Sequence, residues 1–85
     1  MAATLMINLS SRHDLHRADR AIAAAEKRVL EQAALVARLE VSGRDPLLAE
    51  GLLGEMEMTL NALRAQRELI LIGSATGRAA AEPQV

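Results

Sequence analysis

At 85 residues the chain is one domain at most, in the size range where a single core is marginal unless disulfides, a metal, idealised packing or oligomerisation supplement it. The absence of cysteine removes the first of these, together with thiol catalysis, zinc-thiolate sites and redox switching, and fits a reducing, cytoplasmic setting. A net charge of -1, a pI near 6.1 and the lack of any Phe, Tyr or Trp argue against a nucleic-acid binder, which needs cations for phosphates and rings for stacking on bases.

The chain opens Met1-Ala-Ala-Thr-Leu-Met-Ile-Asn-Leu9, apolar but without a basic n-region or a small-residue cleavage site, so no secretory signal is expected. Residues 1–11 read as a short N-terminal arm, frayed or covered by a partner. Ser11 followed by Asp14 has capping-box character and predicts a helix over residues 12–41. Along it Leu15, Ile22, Val29 and Val36 recur every seven residues, with Ala18, Ala25, Gln32 and Leu39 at the intermediate position of an a/d seam.

Ser42-Gly43-Arg44-Asp45-Pro46 then breaks the pattern. Gly43 suits the left-handed residue that ends a helix, and Asp45 before Pro46 matches an N-cap followed by proline at the first helical position. A second helix is predicted over residues 46–72, with Ala49, Met56, Leu63 and Ile70 at seven-residue spacing. Leu52, Thr59 and Gln66 are expected to complete its seam, with Leu53 and Leu60 widening it. Gly73-Ser-Ala-Thr-Gly77 interrupts the pattern, and residues 73–85 read as a flexible C-terminal tail.

Two helices joined so briefly must be antiparallel neighbours, so the expected fold is all-α, a two-helix hairpin. Equal helical rise on both arms places residues whose numbers sum to about 88 opposite one another, pairing Val36 with Leu52, Val29 with Thr59 and Leu60, and Ala25 with Leu63. The seam leaves apolar residues over, among them Leu30 and Ala37 on the first helix and Met58, Ala65, Leu69 and Ile72 on the second. These six are the expected oligomer or partner interface, and a two-fold dimer forming a four-helix bundle covers them most simply. Residues through Arg44 carry seven basic and five acidic side chains, a balance of +2, whereas Asp45 to Ile72 carry two basic and five acidic, a balance of -3. Opposite signs favour placing the first helix beside the second.

Few residues form a set with chemistry in it. His13 and His16 lie three apart on one helical turn with Asp14 and Asp19 near, which makes them the candidate metal ligands, although two ligands at a helix end need a symmetry mate to complete a site. The Glu-x-x-His pattern of di-iron bundles is absent, because no Glu precedes either histidine at that spacing. Glu55 and Glu57, two apart on a helix, point in different directions and do not form a carboxylate pair. Gly51 and Gly54 precede no phosphate-binding helix start and fit close helix crossing. Gln32, Thr59 and Gln66 on the seam are either register-fixing polar contacts or its wet edge. No nucleophile and base set is recognisable, so the chain is not expected to be an enzyme, and no cofactor is expected. No apolar run approaches the ~20 residues that span a bilayer.

The run Ala18-Asp-Arg-Ala-Ile-Ala-Ala-Ala-Glu-Lys-Arg-Val-Leu-Glu-Gln32, then Leu35-Val-Ala-Arg-Leu-Glu40, Ser42-Gly-Arg-Asp45 and Ala49-Glu-Gly-Leu-Leu-Gly-Glu-Met-Glu-Met-Thr-Leu60, resembles small uncharacterised helical-hairpin proteins of rhizobia and related alphaproteobacteria. The resemblance covers residues 13–72 and implies a small bacterial cytoplasmic protein, with no catalytic residues to carry over. The expected role is a non-catalytic interaction or regulatory module, acting by homo-oligomerisation or by docking a partner helix in its groove. The alternative is a metal- or ligand-binding protein using His13 and His16, and an amphipathic membrane-surface element is a third class.

Overall fold

The computed structural model describes the backbone of residues 2–81 and the side chains of residues 12–73. Two helices, α1 (Ala2–Val41) and α2 (Leu47–Ala81), pack against each other as a hairpin. Their Cα atoms occupy a rod of 68 × 17 × 13 Å.

The turn is built as its sequence dictates. Gly43 has φ of 71°, the only positive φ among the described residues, a conformation that glycine adopts without the Cβ clash other residues suffer. Around it the Arg44 amide donates to the Leu39 carbonyl at 2.9 Å and the Gly43 amide to the Glu40 carbonyl at 3.1 Å, which together form a Schellman motif. The Ser42 amide and hydroxyl both donate to the Arg38 carbonyl, at 3.1 and 2.6 Å, closing the last turn of α1. On the far side the Leu47 amide donates to the Asp45 carboxylate at 3.0 Å, and the Glu50 amide reaches the Pro46 carbonyl at 2.8 Å. Asp45 is thus the N-cap, and Pro46, lacking an amide proton, occupies the position where none is needed.

Both helices run further outward than the sequence reading has them. Where an arm over 1–11 is expected, α1 starts at Ala2, because residues 2–11 contain neither glycine nor proline to stop it. Where a flexible tail over 73–85 is expected, α2 continues to Ala81. Gly73 and Gly77 lower helix propensity by up to ~1 kcal/mol each, yet both retain the amide that carries the hydrogen-bond ladder, and no proline lies between Leu47 and Pro83. Residues 82–85 of the expected tail, and Met1 of the expected arm, lie outside the described residues.

The seam of α1 follows the predicted lines. Leu15, Ile22 and Val29 are half-buried and Val36 buried on one line, and Ala18, Ala25, Gln32 and Leu39 are half-buried on the other. On α2 one line is as expected, with Ala49, Met56, Leu63 and Ile70 half-buried. The other is corrected. Leu52, Thr59 and Gln66 are exposed, and their place is taken by Pro46, Leu53, Leu60 and Arg67.

A seven-residue apolar line is compatible with a neighbour three residues before it or three after it, and the side that buries more apolar surface wins. Leu60 against Thr59 decides the choice: Leu60 is 6% exposed, and with Val36 it is one of only two buried side chains among the described residues. The Thr59 hydroxyl instead donates to the Glu55 carbonyl of its own helix at 3.1 Å. Leu53 and Leu60, rather than Leu52 and Thr59, therefore face the Val36 and Val29 layers.

Two substitutions test this assignment by urea unfolding followed by circular dichroism. Leu60→Ala is expected to cost about 2 kcal/mol, the low end for a buried leucine because the seam is shallow, while Thr59→Ala stays within ~0.5 kcal/mol. Gly43→Ala, forced into the left-handed region, is expected to cost about 1–2 kcal/mol with no packing change, since nothing lies within 4 Å of the added methyl.

Candidate interaction surface

With Leu53 and Leu60 at heptad position a and Met56 and Leu63 at d, the outer side of α2 acquires a regular pattern of its own. Met58, Ala65 and Ile72 fall at f, and Leu48, Ala62 and Leu69 at c. Positions c and f alternate by three and four residues as a and d do, so they form a second apolar stripe, roughly 150° around the helix from the first. All six are exposed, the four large ones from Ile72 at 57% to Leu48 at 90%. Gly51 and Glu55 occupy the remaining sites of the stripe.

The structure divides the residues expected at an interface. Met58, Ala65, Leu69 and Ile72 share this outer stripe of α2. Leu30 and Ala37 are also exposed, but they lie at position b of α1, on a flank of the hairpin. The outer side of α1 is unlike that of α2: its c and f positions include Arg17, Arg20, Lys27 and Arg38, a solvated basic face. Leu47 and Val41, exposed beside the turn, extend the apolar surface at that end of the rod.

Polar contacts between the helices are few. The Gln32 amide nitrogen donates to the Ala49 carbonyl at 3.0 Å, a side chain of α1 reaching across the seam to the backbone of α2. Of the three polar residues expected on the seam, Gln32 alone lies there. Arg67 Nε pairs with Asp19 Oδ1 at 2.6 Å, with side chains 35% and 54% exposed, which places this ion pair on the seam's margin. Sequence reasoning missed Arg67 because its charge hides it among surface residues. Its seven-residue spacing from Leu60 is the one signal that could have placed it.

Between the helices, open grooves follow from alanine standing opposite larger side chains. One of about 370 Å³ is lined by Ala21, Ala24 and Ala25 of α1 and Met56, Thr59 and Leu63 of α2, with Arg28 at its edge. A second, of about 310 Å³, lies further along, where Ala18 and Ala21 oppose Leu63 and Ile70. Both are open surface channels formed where the alanine rows fail to fill the space beside the seam. His13 and His16 are exposed on α1, and among the described residues no three histidine or carboxylate side chains come together as a ligand set. No described helix is long and apolar enough to cross a membrane.

No protein-family model matches the chain, and neither a curated protein nor a solved structure is significantly similar to it.

The Asp19–Arg67 pair is exposed enough for water and salt to screen it. A double-mutant cycle with Asp19→Asn and Arg67→Gln is expected to give a coupling of about 0.2–1 kcal/mol that shrinks as ionic strength rises.

Proposed function

We propose that this chain is a non-catalytic helical module that works by self-association, its hairpin dimerising into a four-helix assembly and serving interaction or regulation in the cytoplasm. The observation that carries the reading is the amount of large apolar surface one hairpin leaves wet. Leu30, Leu47, Met58 and Leu69 are each about two-thirds exposed or more, while only Val36 and Leu60 are buried among the described residues. A chain of this size that buries so little within itself gains the missing core by association. Closed two-fold dimers are the commonest form that such association takes.

The grooves beside the seam support an interaction role over catalysis, because they are open channels lined mainly by alanine and larger apolar side chains, with Asp14, Arg17 and Gln66 on one and Arg28 and Thr59 on the other, no set of which pairs a nucleophile with a base. A helix from another protein could cover the same apolar surface in helix-in-groove fashion. It would then act as competitor to the second copy.

Sedimentation velocity on the purified chain at micromolar concentration tests the reading. A dimer is expected, with dissociation on dilution. A well-folded monomer across the whole concentration range would overturn it.

A further inference from the structure

The outer stripe of α2 also says which surface the second copy covers. We propose that two hairpins join back to back through α2, antiparallel about a two-fold axis near Ala62, so that the four helices lie in the order α1, α2, α2, α1. This rests on the self-association reading and specifies its geometry.

Three observations select a second copy and this face. The first is shape. With the axis at Ala62, residues whose numbers sum to about 124 face one another across it. Met58 then meets Ala65 of the other copy and Ile72 meets Gly51, each large side chain opposite a small one and Ala62 facing itself at the closest approach. Leu69 lies over the aliphatic stem of Glu55, whose carboxylate can turn outward to water.

The second is charge. The positions flanking the stripe are b, with Leu47, Gly54, Asn61 and Glu68, and g, with Leu52, Thr59, Gln66 and Gly73. Glu68 is the sole charge among them, and in this register it faces Gly54 of the other copy, so the flanking positions bring no like charges directly opposite one another. The acidic residues Glu50 and Glu57 sit at position e, clear of the contact. The corresponding outer face of α1 carries Arg17, Arg20, Lys27 and Arg38 against the single acid Glu31, a net positive surface that would repel itself across a two-fold axis.

The third is direction. A helix in a square four-helix bundle needs its two contact lines about 90° apart, one for each neighbour. The two stripes of α2 are roughly 150° apart, nearly on opposite sides, which places α2 between two neighbours in a layer.

The chain contains no cysteine, so single cysteines report the geometry directly. On mild oxidation Ala62→Cys is expected to become a disulfide-linked dimer, whereas Ala34→Cys, on the outer side of α1, stays uncrosslinked. Spin labels at the same two positions provide a second readout that needs no bond. Backbone separations of one helix spacing, about 8–10 Å, are expected at 62, and three spacings, about 25–30 Å, at 34. Met58→Glu should weaken the dimer at least tenfold while Leu30→Glu leaves it unchanged. A sedimenting dimer with the two labelled positions at equal separations, or with Leu30→Glu the disruptive change, would overturn the α2 interface and leave self-association standing. A monomer of the unmodified chain would overturn both.

Discussion

Two helices can share only one line of contact, and everything else about this molecule follows from that. A seam takes two positions in every seven, and here several of those are alanine, so the space between the arms is narrow and shallow. Among the described residues Val36 and Leu60 are the only side chains that it buries, Val36 close to the turn and Leu60 further along α2. The turn at Gly43, closed by its capping bonds and by Asp45, brings the arms together but adds no apolar burial of its own. The arms are therefore held in register more firmly than they are held together.

That imbalance falls on α2. Its seam side and its outer side are both apolar, whereas α1 has one apolar side and one basic side. A helix that is hydrophobic on two opposite faces belongs in the interior of an assembly, and one with a charged back belongs at its edge. The ion pair from Arg67 to Asp19 fits the same division: a cation of α2 is spent on the partner helix at the margin of the seam, leaving the outer side of α2 nearly free of charge.

Much of this is legible in the sequence. Gly43, Asp45 and Pro46 specify their backbone positions because each is suited by covalent structure to one conformation or one missing donor. Leu15, Ile22, Val29 and Val36 mark the seam of α1 because the opposite side of that helix is charged. On α2 the same method assigned one line correctly and mistook the other, since an apolar residue on both faces leaves the heptad phase ambiguous. Only the burial of Leu60 in place of Thr59 resolves it. The outer helix ends read as an arm and a tail because Ser11 and Asp14 mimic a helix start and Gly73 and Gly77 weaken the periodic signal, while the backbone ladder needs only amides. The residues grouped as one interface separate into two faces for the same reason, as the phase of α2 determines where Met58 and Ile72 point.

In the proposed assembly the fold of one hairpin is completed by another. The most direct measure is the midpoint of thermal unfolding, followed by circular dichroism over a hundredfold range of chain concentration. If association supplies the missing core, the midpoint rises steadily with concentration, because the partner binds the folded chain and not the unfolded one. A midpoint that stays fixed over that range would show that a single hairpin is sufficient by itself, and would contradict the account.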